Sequence, residues 1–186
     1  MAHEQVRPET IGAQGTSLPL WLAMLVLRAG RPVRAAVWRH LPRSRLRTIL
    51  VGAFMGLSYR AVPRVAARGR SALMPLVREL FEPEIEFTTA PHDPDPGTYR
   101  GHEGVVQLFL GWLEMFPDLR LESGDIVEVG DCLVMPTHIH GHGSASGLEG
   151  HLHATWVIRV SPRARAARVD EYADHGAALG AAAAAE

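Results

Sequence analysis

Residues 101–122 read GHEGVVQLFLGWLEMFPDLRLE, and the spacing of apolar side chains changes within them. Val105, Leu108, Phe109, Trp112, Leu113 and Phe116 recur three or four apart, which puts them on one stripe of a helix, and Pro117 ends it. From Leu119 onward apolar residues alternate with polar ones, the period of a strand with one covered face. The alternation predicts strands over 119–129, 132–142, 148–160 and 165–173, separated by Gly130-Asp131, by GSASG (143–147) and by Ser161-Pro162.

Upstream the pattern is helical again. Leu46, Ile49, Leu50, Ala53, Phe54 and Leu57 predict a helix over 45–62, up to Pro63. Ser71 is placed to cap a second, shorter helix carrying Leu73, Leu76, Val77 and Leu80. PEIEFTTA (83–90) alternates and reads as a strand, and PHDPDPG (91–97) as a loop. Helices followed by a run of antiparallel strands form an α+β pattern.

The chain has 186 residues, enough for one domain with a substantial core. Its hydrophobic share is 47% and its formal net charge −1, so no global field draws it to nucleic acid or acidic lipid. With no basic stripe interleaved with exposed aromatics, a nucleic-acid partner is not expected. All 19 basic residues are Arg, and Lys and Asn are absent, which points to a GC-rich bacterial genome. The single cysteine, Cys132, lies in an apolar run and reads as a small buried hydrophobe; it rules out an internal disulfide.

Residues 1–44 are expected to be a disordered tail (1–17) and a helical extension (18–40, interrupted near Pro32), ahead of a domain over 45–181 and an Ala-rich tail over 182–186. LPLWLAMLVL (18–27) is too short to span a bilayer and lacks the flanks of a secretory signal, so no stable membrane anchor and a cytoplasmic location are expected.

Four segments carry a family resemblance. FEPEIEF (81–87) resembles the step from second helix to first strand in NTF2-like proteins. YRGHEGVVQLFLGWLEMFPDLRLE (99–122) resembles the opening of the third helix in their SnoaL-like branch. GDCLVMPTHIHGHGSASGLE (130–149) resembles the central hairpin, and VDEYADHGAALGA (169–181) the final strand and tail. The resemblance implies a cone: a curved, mostly antiparallel sheet wrapped around N-terminal helices, with a small apolar pocket inside. Ketosteroid isomerases, polyketide cyclases, dehydratases and non-catalytic binders share that cone, and their chemistry generally needs no metal or other cofactor.

The cyclases of this branch use an Asp near the end of the last strand and a His on the preceding one. Matched without gaps, their Asp falls on Asp174 and their His on Trp156; the terminal Gln-Leu-Gly is absent. Both departures argue against an aldol cyclase. A carboxyl acting near neutral pH needs its pKa raised by burial. Asp170, Tyr172 and Asp174 share strand parity, and Tyr59 is a further polar candidate, so Asp174, Tyr172 and Tyr59 are the candidate catalytic groups. Trp112, Phe116, Trp156 and Asp170 are the candidate ligand-binding residues. The plainer roles are weighed beside these: Asp174 as a surface cap, the aromatics as core packing. Trp156 is expected on the inner face because Leu148, Leu152, Ala154 and Ile158 share its parity.

His138, His140 and His142 alternate on one predicted strand, and His151 and His153 on the next. His-x-His on a strand is a real metal-ligand spacing. A polar or interfacial face pointing away from the pocket is the preferred reading, since SnoaL-like relatives often use that face for dimer contact. A small-molecule pocket protein is therefore the leading expectation, as a metal-free isomerase, cyclase or dehydratase for an apolar cyclic ligand. A non-catalytic ligand-binding or dimerisation domain is the alternative, and a histidine-bound metal protein comes third. A homodimer through the open sheet face is expected, weakened when the histidines protonate.

Overall fold

The structure, a computed structural model, describes residues 30–185. The expected disorder of residues 1–17 and most of the helical extension, with its apolar run 18–27, lie outside the described residues. Among those described, five helices and seven strands follow in the order α1 (Arg31–His40), α2 (Arg45–Ala66), α3 (Arg70–Leu80), β1 (Phe81–Thr88), β2 (Thr98–Arg100), α4 (Gly101–Met115), β3 (Arg120–Ser123), β4 (Val127–Val129), β5 (Cys132–His142), β6 (Glu149–Val160), β7 (Ala166–Tyr172) and α5 (His175–Ala184). The strands form one curved, unclosed sheet in the order β2-β1-β7-β6-β5-β3, with β4 also pairing β5. Only β1 and β7 run parallel; the other pairs are antiparallel. This is the α+β cone expected from the switch of periodicity at Leu119.

The core lies between α2–α4 and the inner face of the sheet. Phe109 and Trp112 of α4, Phe87 of β1, Met135 of β5 and Trp156 and Ile158 of β6 are all buried there. A second, smaller cluster sits on the outer face, where Ala178 and Ala182 of α5 pack on Cys132, Val134 and Val157. Residues 154–158 of β6 are consequently buried on both faces, whereas 149–153 show the alternation of a strand covered on one side only.

Several local expectations are corrected. Helix α2 runs past Pro63 to Ala66, because Val62, Val65 and Ala66 are buried and packing outweighs the backbone hydrogen bond that proline cannot donate. Ser71 does not cap α3. The N-cap is Gly69, whose φ of 88° lies in the left-handed region that a residue with a side chain rarely adopts. The Ala-rich terminus is not a loose tail, since Ala182 is buried within α5. Leu148 leaves the inner face: it stands in the β5–β6 turn, 72% exposed. Helix α1 is tied to the domain. Arg31 donates to Glu79 of α3 (Nε to Oε1, 2.8 Å), and the guanidinium of Arg34 lies 4.1 Å over the Phe54 ring.

Candidate functional site

The strand register decides which side chains enter the cone. On β6, Trp156 faces inward and is fully buried; its partner on β5 is Met135 and on β7 Glu171. Val169, also on β7, is fully buried opposite Ile158. Inward positions on β7 are therefore Val169 and Glu171, two apart, while Arg168, Asp170 and Tyr172 face out.

Of the sequence candidates, Tyr59, Trp112 and Trp156 meet inside the cone. The Tyr59 ring lies 4.9 Å from that of Trp156 at 65°, and the Trp112 and Trp156 rings are 6.1 Å apart at 29°. Phe116, just past the end of α4, reaches the same end of the cone over Gly141 and Gly150. These two glycines pair across β5 and β6, and a Cβ on either would come within 3.1 Å of the Phe116 side chain. Small residues there let the ring lie close to the sheet.

Asp170, Tyr172 and Asp174 are not brought to this site. Asp170 pairs with Arg168 on the outer face (2.7 Å), and Tyr172 packs beside the cluster under α5. Asp174 is exposed and caps α5, accepting the Ala177 N–H at 2.7 Å. Asp170 and Tyr172 share the outer face of β7, opposite the core face set by Val169, whereas Asp174 lies beyond the end of the strand.

Two carboxyl groups that sequence reasoning passed over stand in their place. Glu171 is 6% exposed, and neither of its oxygens has a hydrogen-bond partner among the described residues. Burial and the neighbouring Asp93 carboxylate push its pKa up to about 8. The Trp156 indole opposes this, near enough to favour the anion without completing a hydrogen bond. Asp93 is 4% exposed in the loop between β1 and β2. Burial raises its pKa too, partly offset by the Asp95 N–H, which donates to Oδ1 at 2.9 Å, and by the Trp112 indole. Thr89 fixes this loop: its hydroxyl oxygen accepts the Gly97 N–H at 2.9 Å. The Tyr59 hydroxyl is buried without a hydrogen-bond partner among the described residues, and burial drives its pKa upward, so it stays a neutral donor. The alternation of Val169 and Glu171 was the available signal for Glu171; nothing in PHDPDPG distinguished Asp93.

A pocket of about 220 Å³ opens at the hairpin end of the cone. Trp112, Phe116, Ile139 and Leu152 form its apolar walls, and Asp93 is its buried acid. Its volume is below the roughly 300–1,000 Å³ of pockets for drug-sized ligands. It exceeds the cavity of about 150 Å³ that accepts a benzene ring. Its wall Trp112 stacks on Trp156, which in turn meets Tyr59 and pairs with Glu171 across the strands.

The profile of the SnoaL-like domain family matches residues 60–169, more than half of the chain. The chain belongs to the SnoaL-like domain family. Solved structures share the fold of this SnoaL-like protein at low sequence identity. One, described as a SnoaL-like polyketide cyclase from Jannaschia sp. CCS1, is 14% identical with a TM-score of 0.54, covering 77% of this chain and 97% of its own. Bal32a, from a soil-derived mobile gene cassette, is 13% identical with a TM-score of 0.54, covering 67% and 89%. An NTF2-like protein of unknown function from Exiguobacterium sp. 255-15 is 16% identical with a TM-score of 0.51, covering 61% and 92%. At these identities the likeness shows the NTF2-like fold alone. No curated protein matches the chain. Among the described residues, no helix is long and apolar enough to cross a membrane.

Proposed function

We propose that this SnoaL-like protein binds a small apolar molecule in the pocket beside Trp112 and Phe116, and that Glu171 moves a proton on it. The reading makes it a metal-free isomerase, cyclase or dehydratase. One observation carries it: the polar groups around Trp156, namely Glu171, Tyr59 and the indole N–H, are buried and lack hydrogen-bond partners among the described residues. Unpaired polar atoms in an apolar interior are costly, and such costs concentrate at sites built for a ligand. A carboxyl half-ionised near pH 8 keeps its proton at neutral pH, and its ionised fraction can accept one, which suits it to general acid–base work. Tyr59 is the neutral donor able to hydrogen-bond an oxygen on which negative charge develops. Asp93 holds the pocket end of the site, and when ionised its charge adds to the burial that keeps Glu171 protonated. Asp170, Tyr172 and Asp174 have no part in ligand contact here.

The volume narrows the ligand to one or two fused rings. A panel of monocyclic and bicyclic ketones, followed by tryptophan fluorescence and by exchange of the α-proton for deuterium, tests this. Glu171→Gln is expected to abolish exchange while leaving binding within about twofold, and Asp174→Asn to change neither. Exchange that survives Glu171→Gln overturns the catalytic role. Non-catalytic binding is the second reading, favoured by the fact that Glu171 is not itself a wall of the 220 Å³ pocket. It predicts binding with no exchange for any ligand.

We also propose a homodimer through the outer sheet face left bare by α5. His138, His140, His151 and His153 line it, with Arg120, Glu122 and Glu149 beside them. Sedimentation should show a dimer at pH 7.5 that weakens at pH 5.5; a monomer at both removes the proposal.

A further inference from the structure

On the outer face, beyond the reach of α5, β5 and β6 carry four imidazoles in register. His138 pairs with His153 and His140 with His151. The rings lie nearly parallel: centroids are 4.2 Å apart for His138 and His153, 4.9 Å for His138 and His140, and 5.9 Å for His140 and His151.

Several donor atoms also lie near one another. His138 Nε2 lies 3.1 Å from His151 Nδ1, and His140 Nε2 lies 3.5 Å from Glu122 Oε1. Bonds of about 2.0–2.1 Å to a tetrahedral ion put neighbouring donors about 3.3–3.4 Å apart, between those two values. One ligand atom each from Glu122, His138 and His140 lies within 4.8 Å of the others, and the same holds for His140, Glu149 and His151. His140 belongs to both groups, and its Nε2 is buried with no hydrogen-bond partner among the described residues. On the far side of His151, Nε2 is 3.4 Å from Glu149 Oε1. That carboxylate can hold the ring proton there and leave Nδ1 free as a ligand, the usual division of labour around a metal-binding histidine. His142 is engaged elsewhere, with Asp118 2.7 Å from its Nδ1.

We propose that this face binds one divalent transition-metal ion of the zinc, nickel or copper class. His138, His140 and His151 are its nitrogen ligands, and Glu122 completes a tetrahedron. Three imidazoles and one carboxylate suit these ions and not magnesium or calcium, which prefer all-oxygen sites. The imidazoles stand on the sheet face opposite Trp156, and His140 and His151 also border the proposed ligand pocket.

The test is calorimetric titration of the tag-free full chain, stripped with EDTA and dialysed, with zinc chloride at pH 7.5, and ion counting by native mass spectrometry. The expected result is one zinc per chain at micromolar affinity or tighter, weakened at least about tenfold by His140→Gln and unchanged within twofold by His142→Gln. The proposal is overturned by the absence of saturable binding, by half an ion per chain, or by affinity that His140→Gln leaves intact. Should circular dichroism show His140→Gln misfolded, His151→Gln at the more exposed end is judged by the same criteria.

Discussion

Strand β6 carries Trp156 on its inner face and His153 on its outer one, and the two surroundings treat polar groups in opposite ways. Inside, Glu171 and Asp93 are enclosed by aromatic rings, and burial favours their protonated, neutral forms. Outside, the imidazoles stack on one another at a face that solvent still reaches. Glu171 and His138 are thus both steered toward neutrality, the acid by burial and the base by desolvation and like neighbours. The protonation of Glu171 should respond to changes in packing, and that of His138 to substitution of neighbouring histidines.

The largest expected effect is on packing. Trp156→Ala should destabilise the fold by about 3–5 kcal/mol in urea unfolding, as for other buried Trp truncations. It should also lower the pKa of Glu171 by letting water reach it.

Next is Glu171→Gln. The folded pKa of Glu171, about 8, stands above its unfolded value, so the folded state binds the extra proton between the two. Wild-type stability should then fall as pH rises from about 4.5 to about 8 and level off above. The Gln variant should lack this slope and exceed wild type by on the order of 3 kcal/mol at pH 9, with little difference at pH 4. Equal pH slopes for the two proteins would show that Glu171 ionises freely.

Asp174→Ala should cost about 1 kcal/mol through loss of the α5 cap. Any larger effect confined to ligand binding would return Asp174 to the site. The smallest effect is expected on the outer face: His153→Ala should change metal-free stability by no more than about 0.5 kcal/mol, as for most exposed positions.

The α+β class was legible because its two periodicities are clean, and the cone followed from the family resemblance. The stripe from Val105 to Trp112 and the alternation after Leu119 each report one covered face. The inward placement of Trp112 and Trp156 followed from the same parities, as did the outward turn of the histidines. The acid was missed for a local reason. Asp170, Tyr172 and Asp174 drew attention as a chemically plausible set, although Val169 had already assigned the core face of β7 to the alternate positions. Helix α5 was hidden for another reason. An all-alanine end has no apolar period to read, and its burial comes from a tertiary contact with Val134 and Val157. Asp93 could not be found by pattern at all, since its burial depends on how Thr89 and Gly97 fold the loop back.

The measurement that bears most directly on the account is the ionisation of Glu171 in the folded protein, followed by carboxyl carbon-13 NMR from pH 3 to 10 and assigned with Glu171→Gln. The account predicts a midpoint near 8, falling toward the ordinary carboxylate range in Trp156→Ala. A wild-type midpoint near 4.5, the ordinary value for Glu, would mean that the cone does not bury this acid and would contradict the proposed site.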